Sequence, residues 1–533
     1  MGHKSHQSKN CLTYAISTKR TYHASEIKIQ YPATFFLTLS PLGFCDVKLP
    51  AIFSDHAVIQ KDVQAPVWGW AEPNEEVTVK IGMQSQSTKA GADGKWKIKL
   101  DKLSAGGPHT LEIKGKNTIL IKDVLIGEVW LGSGQSNMAM TVNRCLNYEK
   151  EQAAANFPQL RMFKESSGVS TQPQFVGAGK WEVCTPETVG GFSGTAYFFG
   201  RELHQVLKLP VGLINSSVGG TPVESWTSME AQKDFKELKP LFDRWQKLDA
   251  DFNLVKAEAQ YKIDLEKHKI AAKKAKDDGK PIPRVPQKPN QPRLNNHYPG
   301  NLFNGKISPL IPYAIKGAIW YQGESNAGKG SAEVYGLQLA TLINDWRARW
   351  GQGDFYFAWV QLPNFHKLQT EPVEESGWVT VREEMANTLK LPNTGMAITT
   401  DVGEANDIHP KDKQNVGKRL AMWALAKAYN QEKIASSGPL YSSHEVKGKE
   451  VIIRFTNTDG GLKSSGPELK GFAIAGADKK WKFANARLEG ETVIVSSPDV
   501  NAPLMVRFAW ADNPIATLFN GAGIPAAPFR TDK

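Results

Sequence analysis

The sequence predicts an α/β fold: a three-layer α/β/α domain around a mostly parallel sheet, flanked by β-sandwich-like regions at both ends. Three observations predict it. Between residues 127 and 430, strand-like runs alternate with segments of helical periodicity, the pattern of a parallel sheet with helices on its faces. On either side, at 47–126 and 431–533, short β runs follow one another with turn residues between them. The chain has 533 residues and 41% hydrophobic content, enough for two to four packed domains, and its 46 Gly, 31 Pro and 10% aromatic residues exclude a coiled coil, collagen or a disordered polymer.

Residues 1–46 read as a leader. The run ATFFLTLSPLGFC at 33–45 has about the length of a signal-peptide core, with Lys28 before it and the small residues Gly43 and Cys45 near its end. About thirty mostly polar residues precede that run, so the start codon is placed too early, the leader is long, or the run is a buried segment. A signal around residues 28–45 makes the mature chain periplasmic or secreted. Its removal takes Cys11 and Cys45 and leaves Cys145 and Cys184, which either pair or stand as two separate buried thiols. No other run approaches the ~20 apolar residues of a membrane span, so the mature chain is expected to carry no integral membrane segment.

Next come β runs at APVWGWAE, EEVTVKIG, KWKIKL, HTLEIKG and NTILIKDVLIG, broken by Glu-Pro-Asn, Ala-Asp-Gly and Ala-Gly-Gly. In the middle region VWLGSG, VGLINS, KGAIWYQGE, FYFAWVQL and GMAITTD are strands. Helical stripes run through Ala196, Phe199, Leu203 and Val206, through Tyr335, Leu339, Leu342 and Trp346, and through Val416, Leu420, Trp423 and Ala424. After about residue 430 the runs EVIIRFT, GFAIAG, ETVIVSS and LMVRFAW restore the β pattern.

The net charge of +11 is unevenly spread. Residues 231–294 hold 16 Lys or Arg against 10 Asp or Glu, over half of the whole excess. Acidic and basic residues interleave there around Phe235, Leu238, Phe242, Trp245, Leu248 and Phe252, which describes a solvated helical insertion with a Pro-rich tail. No nucleic-acid motif accompanies it, and no nucleic-acid partner is expected.

In a parallel sheet, ligands bind beyond the carboxyl ends of the strands. Four loops there carry chemistry. GSGQSNMAM places Ser136 after the first strand of the α/β region, with Gly132 and Gly134 permitting a tight backbone. VGLINSSVGGT places Gly219 and Gly220 after the second, where bare N–H groups can approach a developing oxyanion. AIWYQGESNA places the amide of Gln322 and the carboxylate of Glu324 after the third. TTDVGEANDIHPKDK places Asp407 and His409 ahead of a helix that Pro410 is suited to begin. Serine needs a base to take its proton, and the base needs an orienting acceptor, so Ser, His and Asp at one sheet edge form an acyl-transfer set. Among the histidines after Ser136, His409 is the best placed.

GQSNM at 134–138, GGTPVESW at 219–226, WYQGESNA at 320–327 and DIHPKDKQNVGKRLA at 407–421 resemble the four signature blocks of the sialate O-acetylesterase family, a branch of the SGNH hydrolases. The resemblance implies Ser136 as nucleophile, His409 as general base and Asp407 as its orienter. It also implies an oxyanion hole made of the N–H groups of Ser136 and Gly219 and the amide of Gln322. The superfamily places its Asp three residues before the His, where this chain has Asn406, so Glu324 and Asp401 stay open as alternatives to Asp407. Asn137 is read as holding the Ser loop by hydrogen bonds to backbone. Trp226, Tyr321 and Phe365 are read as packing and Arg382 as a structural ion-pair partner. No metal site and no cofactor are expected. The implied activity is hydrolysis of O-acetyl esters on sugars through an acetyl-enzyme, with an acetyl xylan or xyloglucan esterase, or an inactive carbohydrate-binding protein, as alternatives.

Overall fold

A computed structural model describes residues 46–532. The expected leader, with Cys11 and Cys45, therefore lies outside the described residues except for Asp46. The architecture is organised by seven strands of one 11-stranded sheet, β1 (Thr118–Gly134), β2 (Phe157–Glu165), β3 (Gly179–Cys184), β4 (Val211–Ser217), β5 (Gly317–Tyr321), β6 (Tyr356–Val360) and β7 (Thr394–Ala397), in the order β7-β6-β5-β1-β4-β2-β3. Every neighbouring pair is parallel except β2 with β3, which forms an antiparallel edge.

Both faces of this sheet are covered, which is why its strands are buried nearly throughout. On one face, α2 (Gly194–Leu207) and α7 (Lys413–Ala428) bring Phe198, Phe199, Leu203, Val416, Leu420 and Trp423 against Trp130, Leu213, Ile319 and Ala358. The other face carries Leu339, Leu342 and Trp346 of α5 (Tyr335–Trp350) and Val381 and Met385 of α6 (Gly377–Asn387), packed with Leu131, Ile214, Trp320 and Trp359. Alternate residues of each strand thus feed alternate layers, giving the predicted three-layer α/β/α core.

The N-terminal β region is not a separate sheet. Strand β1 is 17 residues long: its first half pairs antiparallel with Gly106–Lys114, its middle runs parallel to Val58–Gln60, and its second half is the centre of the α/β sheet. The sequence boundary at 126/127 falls inside this strand. Pro66–Trp70 and Lys95–Lys99 form a small sheet beside it. After α7, two four-stranded antiparallel sheets and a two-stranded one share a core of Val451, Ile453, Phe472, Val493, Val506 and Phe508.

Two expectations are corrected here. Arg382 is no ion-pair partner: fully buried, it donates five hydrogen bonds, to the carbonyls of Leu362, Pro363, Ala511 and Asp512 and to Asn364 Oδ1, pinning the C-terminal β region to the α/β core. Pro410 does not begin a helix: α7 starts at Lys413, capped by the Asp412 side chain accepting from Asn415 N–H at 3.0 Å. Cys145 and Cys184 are free thiols, and burial pushes both up to about 12.

The insertion at 231–294 folds as α3 (Lys239–Asp251) and the 24-residue α4 (Leu254–Asp277), followed by the Pro-rich tail. Of its apolar stripe, Leu238 and Trp245 are buried while Phe235 and Leu248 face solvent. Among the described residues no helix is long and apolar enough to cross a membrane.

Candidate active site

The register of the central strands sets the site. Gly134 of β1 lies abreast of Ser217 of β4 and Tyr321 of β5, so the chain leaves all three strands at one edge. Gly134 has φ +134°, and a Cβ there would sit 2.2 Å from the Tyr321 carbonyl oxygen, so the turn into the Ser loop requires glycine. Ser136 then opens the single-turn helix α1 (Ser136–Ala139), where the first N–H groups have no partner inside the helix. Gly219 follows β4 and is close enough that an added Cβ would meet the Ser136 Cβ at 3.4 Å. Neither the Ser136 nor the Gly219 N–H donates to another described residue.

The loop carrying His409 is tied to the loop carrying Ser136 through their neighbours. Asn137 Nδ2 donates to the Ile408 carbonyl at 2.9 Å and to Glu324 Oε1 at 2.6 Å. One buried amide thus joins the Ser loop, the loop after β5 and the His loop. Its role exceeds the local backbone contacts expected for it. His409 Nδ1 lies 3.4 Å from Asp407 Oδ1, which also accepts from the His409 N–H at 2.9 Å. The two alternative carboxylates are engaged elsewhere: Asp401 pairs with both terminal nitrogens of Arg419 at 2.6 Å, and Glu324 holds Asn137.

Gln322 departs from its expected place. It is fully buried, and its amide N–H groups face Asn326 Oδ1 at 2.7 Å, the Thr221 carbonyl at 3.2 Å and Gln135 Oε1 at 3.4 Å, while its Oε1 accepts from the Tyr335 hydroxyl. With its donors facing protein acceptors, Gln322 braces the loops from below, and the free donors near Ser136 are backbone N–H groups. Trp226 and Tyr321 are fully buried and offer no face to a ligand. Among the described residues no cluster of three or more His, Cys, Asp or Glu is arranged to hold a metal ion.

Comparison with known proteins bears on this geometry. A family profile described as carbohydrate esterase, sialic acid-specific acetylesterase, matches residues 303–426. A solved structure of a carbohydrate acetylesterase from Xanthomonas citri is 35% identical, superposes with a TM-score of 0.77, and is covered over 100% of its length by 92% of this chain. The chain belongs to the carbohydrate acetylesterases. Curated relatives named sialate O-acetylesterase are 28% identical in Rattus norvegicus, over 92% of this chain and 94% of that one, and 29% identical in Homo sapiens, over 78% and 77%.

The electrostatics of the esterase site are governed by burial. His409 is held below its ordinary value, first by burial and then by the Lys413 charge, while Asp407 pulls it up. It is therefore neutral, and able to accept a proton, near neutral pH. Asp407 is held down, chiefly by the His409 backbone N–H, and stays ionised.

Beneath them lies a residue that the sequence did not announce. Lys413, fully buried at the start of α7, donates to Asn137 Oδ1 at 2.6 Å and lies 5.0 Å from the centre of the Tyr321 ring. Burial lowers it to about 8 and pushes Glu324 up. Lys413, Asn137 and Glu324 form one hydrogen-bonded line next to Ser136 in the chain, and Glu324 Oε2 at its end is shut from solvent with no partner among the described residues.

Proposed function

We propose that this carbohydrate esterase removes acetyl groups from sugar hydroxyls by double displacement on Ser136. The observations that support this reading are the N–H groups of Ser136 and Gly219 without a partner among the described residues, the His409–Asp407 pair, and the Asn137 hydrogen bond to the Ile408 carbonyl that ties the Ser136 loop to the loop carrying that pair. Ser136 Oγ attacks the acetyl carbonyl while His409 Nε2 takes its proton. Asp407 at Nδ1 favours the imidazolium that forms. The carbonyl oxygen gains its negative charge facing the Ser136 and Gly219 N–H groups, where fixed dipoles stabilise it without reorganisation. His409 returns the proton to the departing sugar oxygen, leaving an acetyl ester on Ser136. Water, deprotonated by His409, then attacks that ester; acetate leaves, and the proton returns to Ser136 Oγ.

The curated relatives' name, sialate O-acetylesterase, supports an acetylated sialic acid as the substrate. The apolar run at 33–45 supports a periplasmic or secreted location. The test is acetate release by the mature chain from acetylated sialic acid, acetylated xylan and xyloglucan fragments and an aryl acetate. Ser136→Ala and His409→Ala are expected to lose at least ~10³-fold in kcat with unchanged circular dichroism. Full activity in either variant overturns the mechanism.

A further inference from the structure

The longest helix of the insertion is barely used by the core. α4 (Leu254–Asp277) runs for 24 residues, about 36 Å at ~1.5 Å per residue, and Ala275 is its one buried residue. A helix laid on a core turns its apolar stripe inward. This one turns aliphatic side chains outward: Val255 is 78% exposed, Ile263 51% and Ile270 73%. At ~100° per residue the three fall within about 80° of one another, so they make one line along the helix.

Lysines border that line. The same spacing puts Lys256, Lys267 and Lys274 along one flank and Lys262, Lys269 and Lys276 along the other, with Lys273 inside it. α4 carries seven lysines against four acids, Glu258, Asp264, Glu266 and Asp277. Among the described residues the insertion's ion pairs are Lys239–Asp243, Lys269–Glu266 and Lys280–Asp278, so six of those seven lysines pair with no acid. Asp264 lies on the far side, accepting from Gln260 at 2.9 Å. The Pro-rich tail returns on that far side too, where His268 Nε2 donates to the Pro283 carbonyl at 2.9 Å. The tail therefore covers the side opposite the line and leaves the line itself bare.

Unpaired cations on both flanks of an aliphatic line fit a surface with negative charge at one depth and hydrocarbon just beneath it. The stem of a lysine lies along apolar material while its ammonium stays at the charged level. A soluble polyanion matches the ammonium groups but leaves Val255, Ile263 and Ile270 in water. We propose that α4 is a docking face for an anionic phospholipid surface, which it meets side-on, with Val255, Ile263 and Ile270 entering the headgroup layer and the flanking lysines pairing with lipid phosphates. Docking of this kind holds the enzyme at a membrane surface without a spanning segment.

The test is sedimentation of the mature chain with vesicles of phosphatidylcholine alone and of equimolar phosphatidylcholine and phosphatidylglycerol, at low and high salt. Wild type is expected to bind the mixed vesicles at least ~10-fold more tightly, and to weaken as salt rises. Lys256→Gln/Lys267→Gln/Lys274→Gln should lose about 100-fold, roughly fivefold per cation. Ile263→Ser/Ile270→Ser should lose about 10-fold with its charge unchanged. Lys97→Gln/Lys99→Gln/Lys447→Gln, which sheds the same charge elsewhere, should stay within about threefold of wild type. All of these positions are exposed, and the circular dichroism of each variant should match wild type. An equal loss in the two lysine triples, or no preference for the mixed vesicles, overturns the docking face. Binding to soluble dextran sulfate that is as tight as to the mixed vesicles and unmoved by Ile263→Ser/Ile270→Ser also overturns it, and assigns the lysines to a soluble polyanion.

Discussion

Replacing Lys413 with methionine tests how the site is braced. The Lys413 ammonium is fully buried and lowered from 10.5 to about 8, first by burial. Below pH 8 it is charged in both the folded and the unfolded chain, and folding bears the full cost of desolvating it. Between about pH 8 and 10.5 the unfolded chain holds the proton and the folded chain does not, so unfolding takes up a proton and stability rises with pH. Integrated from pH 7 to pH 10, the fall from 10.5 to about 8 is worth on the order of 2–3 kcal/mol. The neutral amine still donates to Asn137 Oδ1, so this gain does not sacrifice the hydrogen bond. Lys413→Met has no such titration. Urea unfolding of both proteins, followed by tryptophan fluorescence at several pH values, isolates the effect, because groups not coupled to Lys413 cancel in the difference. His409, which is coupled to it, is held below its ordinary value and so below this pH range. Wild type is expected to gain on the variant by about 2–3 kcal/mol from pH 7 to pH 10. Curves that stay parallel over that range refute the account of Lys413 as a desolvated cation. At pH 7 the variant should also show lower kcat with KM little changed, since Asn137 loses the donor that fixes it.

Asp407→Asn removes the charge that pulls His409 up, so the acidic limb of the kcat/KM profile should move to lower pH while the plateau falls about 10- to 100-fold. A limb that stays put or moves upward assigns the orienting role to another group. Arg382→Lys keeps the charge but cannot span the four carbonyls and the amide that the guanidinium reaches, and should cost about 3 kcal/mol in a thermal or urea titration. A neutral result would mean that those carbonyls find other partners.

What the sequence revealed follows from how much each residue's role depends on its neighbours in the chain. The loops after β1, β4 and β5 were legible because a buried parallel strand needs a continuous apolar run and its exit needs glycine or small polar residues. The edge strand Gln84–Lys89 was invisible, since QSQSTK has no apolar face to alternate with. Strand β2 was obscured by Pro158 and by a burial pattern without period two. The continuity of β1 across the 126/127 boundary was missed because a run of β residues does not say which half pairs with which sheet. Lys413 received no reading of its own within DIHPKDKQNVGKRLA, because nothing local distinguishes a lysine that a distant asparagine and tyrosine enclose. Gln322 was placed in the right loop and given the wrong partners, because loop position does not say which way an amide faces.

The length of β1 has a further consequence. One strand begins among the N-terminal strands, passes a bulge where Asp123 has φ +55°, and ends two residues before Ser136. Ser136 is therefore carried by a strand that starts eighteen residues upstream, at Thr118, and the N-terminal region is part of its mounting rather than an accessory carried beside it. For anyone recombining parts of this enzyme, a cut at residue 127 would sever the girder on which the reaction centre stands. Swapping the C-terminal sheets at the Arg382 clasp leaves that girder whole.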